Sequence, residues 1–266
     1  MLENFEHASI LVLGSGTSTG VPMIGCTCKV CQSEDPRDKR LRPSVLVRLD
    51  SHRILIDTTP DFRYQALRFG IDRLDAILYT HAHADHILGL DDVRPFNFMQ
   101  LEEIPIYGSS EALAVIERTF RYVFENVPTE SSRPRLNSRS FEDDPIPICG
   151  LDFLPIKLAH GKGTSYGFRF GDCAYLTDHS GIPDESMEKL KDLDVLFLDA
   201  LRYNPHPTHS TVSQSLKTVD ALKPQRAFFT HISHDLPHAV VESRLPPHVR
   251  VAYDGLEIPI GRADQP

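Results

Sequence analysis

Cations are scarce in this sequence. Lysine and arginine number 28 against 37 acidic residues, for a formal net charge of −9. That balance argues against broad binding to the backbone of DNA or RNA, which needs many positive side chains. Long apolar runs are missing too. The longest, such as Ile10–Leu13 and Val195–Leu198, are strand-sized and far short of the ~20 residues that cross a bilayer. The start, Met1 to His7, is polar and acidic and lacks a basic segment leading into an apolar stretch. A secretory signal is therefore not expected, and a cytoplasmic location is. There are only five cysteines, an odd number that cannot all pair within one chain. In a reducing compartment thiols more often bind metal or stay free. Tryptophan is absent, and no internal repeat, low-complexity tract or linker divides the chain, so residues 1–266 are read as one domain.

What is present is ordinary in bulk, with 41% hydrophobic and 24% charged residues, enough to bury a core. One count stands apart, the 13 histidines. Short apolar runs rich in β-branched residues predict strands at Ile10–Leu13, Val45–Arg48, Ile54–Ile56, Ala76–Tyr79, Ile104–Tyr107, Leu151–Leu158, Gly167–Phe170, Ala174–Leu176, Val195–Leu198, Ala227–Thr230 and Val249–Tyr253. Apolar spacing and proline starts predict helices over Asp61–Phe69, Glu111–Val123, Asp184–Leu190 and Thr211–Leu222. Strands with interspersed helices give an α/β or α+β class. Pro128 to Pro147 is the least regular stretch and reads as a long surface loop, with a lid as the alternative.

Chemistry concentrates at Thr80-His81-Ala82-His83-Ala84-Asp85-His86, directly after a predicted strand. On extended backbone, residues two apart face the same way, so His81 and His83 can converge on one ion. If the chain then turns, Asp85 and His86 can face a second. Imidazole and carboxylate suit divalent zinc, manganese or iron without any thiolate. Three later residues also sit at the ends of apolar runs: His160 after Leu151–Leu158, Asp178 in Tyr175-Leu176-Thr177-Asp178, and His231 in Phe228-Phe229-Thr230-His231. Alone, His160 reads equally well as a loop histidine, and Asp178 as a turn former or helix cap. Asp57 ends the run Ile54–Ile56 in the same manner.

The pattern His-x-His-x-Asp-His after a strand resembles the signature of the metallo-β-lactamase superfamily. The resemblance extends from Ile10 to about Ile260 and implies an αββα sandwich, two mixed β-sheets flanked by helices. It implies two divalent ions, zinc or manganese, at one edge. His81, His83 and His160 would hold the first, Asp85, His86 and His231 the second, and Asp178 would bridge them. Asp57 would support the ligand loop from behind.

A second cluster is Cys26-Thr27-Cys28-Lys29-Val30-Cys31. Three thiolates so close read as a structural zinc site, and His234 in His231-Ile232-Ser233-His234 is free to complete it. Cys149 and Cys173 lie near strands and read as ordinary buried thiols. The cysteine run combined with Leu13-Gly14-Ser15-Gly16-Thr17-Ser18, the two histidine motifs and Tyr253-Asp254-Gly255-Leu256-Glu257-Ile258 resembles the PhnP group, phosphodiesterases associated with carbon–phosphorus lyase. The glycine-rich start is not a nucleotide-phosphate loop.

That resemblance implies hydrolysis of a small phosphate diester, such as a ribosyl cyclic phosphate or a 2′,3′-cyclic nucleotide, by a hydroxide held between the two ions. Asp85 and His209 are the catalytic side chains expected beyond simple ion holding. His209, in His209-Ser210-Thr211, would protonate the leaving oxygen or steady the phosphate, with His206 as competitor. Alternatives are a tRNA 3′-processing nuclease, a protein like the pyrroloquinoline-quinone biosynthesis B protein, and a non-catalytic zinc-binding protein. The expected partner is a small phosphodiester, without membrane or extended nucleic acid, and a homodimer stays open.

Overall fold

A computed structural model describes residues 2–125 and 131–261. Its strands are β1 (Ala8–Gly14), β2 (Ser44–Leu49), β3 (His52–Ile56), β4 (Ala76–Leu78), β5 (Ile104–Gly108), β6 (Leu136–Ser140), β7 (Ile146–Ile148), β8 (Leu151–His160), β9 (Gly163–Phe170), β10 (Cys173–Leu176), β11 (Val195–Asp199), β12 (Arg226–Thr230), β13 (Val249–Val251) and β14 (Glu257–Pro259). The helices are α1 (Phe62–Arg68), α2 (Ala84–Ile87), α3 (Arg94–Gln100), α4 (Ser110–Thr119), α5 (Arg121–Phe124), α6 (Asp184–Glu188), α7 (Val212–Leu222) and α8 (His238–Glu242).

The strands form two seven-stranded sheets, ordered β14-β1-β2-β3-β4-β5-β6 and β13-β12-β11-β10-β9-β8-β7. Each is antiparallel in one part and parallel in the other. β1, β2 and β3 pair antiparallel and β3 to β6 parallel. In the other sheet β7 to β10 pair antiparallel and β10 to β13 parallel. One apolar layer lies between the sheets and includes Ile10, Val47, Ile54, Phe153, Phe168, Tyr175 and Phe197. A second packs Leu46, Leu55 and Ile77 against Phe62 of α1, Phe96 of α3 and Ile116 of α4. A third packs Leu176, Leu196 and Phe229 against Val212 and Val219 of α7. β4, β10 and β11 are buried along their whole lengths because both faces are covered, which is why they read as unbroken apolar runs. The αββα sandwich expected from the sequence is the fold observed.

The local differences have physical causes. The Glu111–Val123 helix is broken at Phe120, whose backbone leaves helical space (φ −107°, ψ 41°), so α4 ends and α5 begins. The stretch read as a loop over 128–147 contains β6 and the start of β7, with 128–130 outside the described residues. β6 is Leu-Asn-Ser-Arg-Ser at a sheet edge, and only pairing with β5 makes it a strand. The glycine-rich turn after β1 serves packing. A Cβ on Gly14 would lie 1.9 Å from the Arg42 carbonyl oxygen. At α7, expected over Thr211–Leu222, Thr211 and Gln214 form a reciprocal cap with both backbone amides satisfied.

Candidate metal centre

Both sheets deliver their parallel strands to one edge of the sandwich. There the chain leaves each strand sharply. Asp57, Asp178 and His231, which follow β3, β10 and β12, all have left-handed backbone (φ 66°, 55° and 59°). Non-glycine residues adopt that region at a cost of about 1–3 kcal/mol, and such strain gathers at functional sites. The turn after each strand throws its polar side chain inward.

Two groups of side chains meet there. His81, His83 and His160 form the first, and Asp85, His86, Asp178 and His231 the second. His81 Nε2 lies 2.9 Å from His83 Nδ1, and His160 Nε2 lies 3.4 Å from the same atom. Nitrogens bound tetrahedrally to one ion at 2.0–2.1 Å stand about 3.3 Å apart, so this spacing fits a shared cation. Asp178 lies between two imidazoles. Its Oδ1 is 3.2 Å from His231 Nε2 and its Oδ2 is 3.3 Å from His86 Nε2. Asp178 also gathers with His160 and His209, so its carboxylate reaches both groups.

The donor set fits a metal on a second count. His86 Nε2 and both ring nitrogens of His231 are buried without a hydrogen-bond partner. Buried polar atoms are rarely left so, and a cation would satisfy the two Nε2 atoms, which face Asp178. The outer nitrogens of His86 and His160 are held by the protein. His86 Nδ1 lies 2.7 Å from Asp57 Oδ2 and His160 Nδ1 lies 2.9 Å from the Thr208 carbonyl oxygen. Asp57 also accepts from the backbone N–H and hydroxyl of Thr80 at 2.9 and 2.8 Å. This fixes each ring's direction, as expected for Asp57.

The electrostatics follow from three carboxylates and two imidazoles sharing one space. Burial opposes the charged form of His86, but the carboxylates of Asp178, Asp85 and Asp57 outweigh it and hold that ring well above its ordinary value. Burial opposes charge on His231 as well, yet Asp178 raises it to about 9. Asp178 itself is held well below the carboxylate range, because His231 and His86 overcome its burial. His81 and His160 are pushed down, chiefly by burial, and so present neutral rings. The carboxylates thus favour positive charge at this place.

Beside this centre stands His209. Its ring is 4.5 Å from that of His231 and 5.1 Å from that of His160. Nδ1 lies 2.8 Å from Asp199 Oδ2, which leaves Nε2 toward Asp178 Oδ1 at 3.9 Å. His206 sits one step further out. Its ring meets that of His209 at 5.1 Å, and its Nδ1 lies 3.1 Å from the Thr208 hydroxyl. Asp199 was not among the residues expected from the sequence. It ends the apolar run of β11 just as Asp57 and Asp178 follow theirs, and that shared signal could have found it.

A separate cluster joins Cys26, Cys28, Cys31 and His234. His234 Nδ1 is 3.2 Å from Cys26 Sγ and 3.5 Å from the sulfurs of Cys28 and Cys31. A tetrahedral zinc with ordinary bond lengths gives sulfur–nitrogen edges of about 3.5 Å, so the set fits. Cys28 is pulled down to about 6, first by the Cys31 backbone N–H, while burial pushes Cys31 up to about 11. The cluster is tied to the first centre. Thr17 N donates to the Ile232 carbonyl at 3.1 Å, and Ile232 N to that of Ser15 at 2.9 Å, directly after His231.

Comparison with known proteins places these sites in context. Residues 52–232 match a family model described as a β-lactamase superfamily domain. The solved structure of a diphosphatase from the PhnP family is 50% identical, with a TM-score of 0.90, covering 96% of this chain and 98% of that one. Zinc-bound PqqB from Methylobacterium extorquens shares the fold at 18% identity, with a TM-score of 0.77 and coverage of 94% and 99%. An octanoyltransferase of Porphyromonas gingivalis (strain ATCC BAA-308 / W83) is 42% identical over 251 residues, 93% of this chain and 50% of that protein. The chain thus spans half the length of that curated relative. No helix among the described residues is long and apolar enough to cross a membrane.

Proposed function

The chain belongs to the β-lactamase superfamily, as a PhnP-like metal-dependent hydrolase, and on that premise we propose that it hydrolyses a small phosphate diester. The observation that carries this is the placement of Asp178 between two imidazole groups, with the His209–Asp199 pair beside it. His81, His83 and His160 would hold one divalent ion, Asp85, His86 and His231 a second, and Asp178 both. Zinc and manganese both suit these donors. When bound, such ions supply Lewis-acid charge to an attacking water and to the phosphoryl oxygens.

The chain's own residues do the rest. Asp57 and the Thr208 carbonyl hold His86 and His160 in one orientation. Asp85 lies 3.3 Å from His86 Nε2 and adds negative charge to the second group. Asp199 accepts from His209 Nδ1, so Nε2 faces the centre and can pass a proton to the departing oxygen. His206 lacks that place. Cys26, Cys28, Cys31 and His234 would hold a structural zinc that keeps the chain after His231 in position.

A diphosphate linkage is a second reading, favoured by the 50% identical PhnP-family diphosphatase. Its bridging P–O–P bond presents the same singly charged diester phosphorus to the same centre. The octanoyltransferase name belongs to a protein twice the matched length and is not carried over. The deciding experiment assays the metal-loaded protein on bis-p-nitrophenyl phosphate, cyclic nucleotides, ribosyl cyclic phosphates, dinucleotide diphosphates and precursor tRNA. Turnover of a small diester or diphosphate is expected. Cleavage of tRNA alone, or of no phosphate at all, overturns the proposal.

A further inference from the structure

β4 separates two poles of the molecule. His81 lies just beyond its end, whereas Asp75 directly precedes its start. At this second pole three segments meet. His52 opens β3, Asp75 leads into β4, and Cys149 occupies the turn between β7 and β8. The first two belong to one sheet and the third to the other. One donor atom of each lies within 4.8 Å of the others.

Each group stands in a distinct local environment. His52 Nδ1 is shielded from solvent and has no hydrogen-bond partner, although Asp75 Oδ1 lies 3.3 Å away. Asp75 is held from two sides, by the Arg53 backbone N–H at Oδ2 and Arg73 Nε at Oδ1, both at 2.8 Å. Cys149 has left-handed backbone, φ 50°, a strained choice for a residue with a side chain. Burial and then Asp75 push its thiol up to about 11. A thiol so protonated is a poor nucleophile, which argues against a redox or catalytic role. A cation would give His52 Nδ1 a partner and draw the Cys149 thiol to its thiolate form.

We propose that His52, Asp75 and Cys149 form a site for a zinc-class divalent cation that clips the two sheets together at the pole opposite the hydrolytic centre. One imidazole, one carboxylate and one thiolate suit zinc, whereas magnesium and calcium take oxygen alone. On binding, the Cys149 S–H bond breaks, its electron pair goes to the ion and its proton to solvent. Two anionic ligands then neutralise the divalent charge, and solvent can fill the fourth position. Arg73 opposes the ion by standing on the same carboxylate, so this site fills after the thiolate cluster and the hydrolytic centre. The energetic result is linkage, since an ion that binds only the folded chain stabilises it.

The test uses whole protein with its other sites loaded, titrated with zinc near pH 7.5. Zinc per chain, melting temperature, phosphodiesterase rate and alkylation of Cys149 by iodoacetamide are followed together. The wild type is expected to take one zinc more than Cys149→Ser or His52→Ala and to gain melting temperature that neither variant gains. Zinc should slow Cys149 alkylation at least about tenfold, with the hydrolytic rate equal in all three. Equal zinc content and unslowed alkylation overturn the proposal. If Cys149→Ser does not fold, His52→Ala and wild-type alkylation still decide. Neither readout depends on which phosphate the enzyme hydrolyses.

Discussion

The thiolate cluster and the histidine centre solve the same problem, gathering metal donors, by opposite means. Three of the four thiolate-cluster donors come from six consecutive residues, and the loop that carries them is partly exposed. The histidine centre draws on the C-terminal ends of β4, β8, β10 and β12 and the residues that follow, from both sheets, and most of it is buried. Local donors need only a short loop to close on an ion. Distributed donors need the whole sandwich, so their geometry is as rigid as the core beneath them. Rigid, buried donors can hold orphaned nitrogens away from water, which a partly exposed loop cannot.

Mutations should break the two sites differently. The largest effect is expected from Asp178→Ala. Losing the shared carboxylate should cut turnover of every phosphate substrate by more than the ~10²–10³ typical of one charge-stabilising group. Metal analysis should show catalytic ions lost and the zinc held by the cysteines retained. Loss of both kinds of metal together would erase the distinction. Next is His209→Ala, expected to keep its ions and lose about 10²–10⁴ in rate on alkoxide leaving groups. p-Nitrophenyl esters, which need no acid, should be spared; equal losses on both would remove His209 as proton donor.

Asp57→Asn tests the support behind His86 and should lower metal affinity or rate by about 10–100-fold. Isothermal titration of the metal-free protein measures it, and unchanged affinity would make Asp57 a mere turn residue. Cys28→Ser should do the reverse of Asp178→Ala. Melting temperature should fall by on the order of 10 °C, while kcat at saturating metal stays within a few-fold of wild type. A rate loss matching that of Asp178→Ala would show that the cluster takes part in chemistry.

The smallest effect concerns pH. His238, which supports the cysteine loop through Arg40 and Asp38, is lowered to about 4 by burial and then by Arg40. Its folded pKa lies below the ordinary 6.5, so the folded state binds that proton less well than the unfolded chain. The stability it contributes is complete above pH 6.5 and drains as pH falls toward 4. Urea denaturation from pH 7 to pH 4 should show a shallower decline in His238→Gln than in wild type, and parallel curves would refute the assignment.

How much of this was legible beforehand varies by residue. His81, His83, Asp85 and His86 announce themselves because they are contiguous and follow an apolar run. The three thiols do likewise. α2 and α3 were not predicted, since α2 is a single turn made from the ligand motif itself and α3 carries Pro95 and exposed Phe98 and Met99 on mixed faces. Asp199 was missed because one acid at a strand end looks like any turn residue until His209 is seen against it. The three-element meeting of His52, Asp75 and Cys149 has no sequence signal, because its members come from two sheets.

The sequence by itself determined the donor chemistry, the α/β or α+β class and the order in which candidate ligands follow their strands. Those rest on residue type and on periods of two and 3.6 residues, which are local properties. Tertiary structure alone decided which strand ends converge, which nitrogens are left unpaired, and that His209 rather than His206 faces Asp178. These depend on sheet register and on the strained turns at Asp57, Asp178 and His231. Such turns are adopted only because the packed sheets on either side outweigh their local cost.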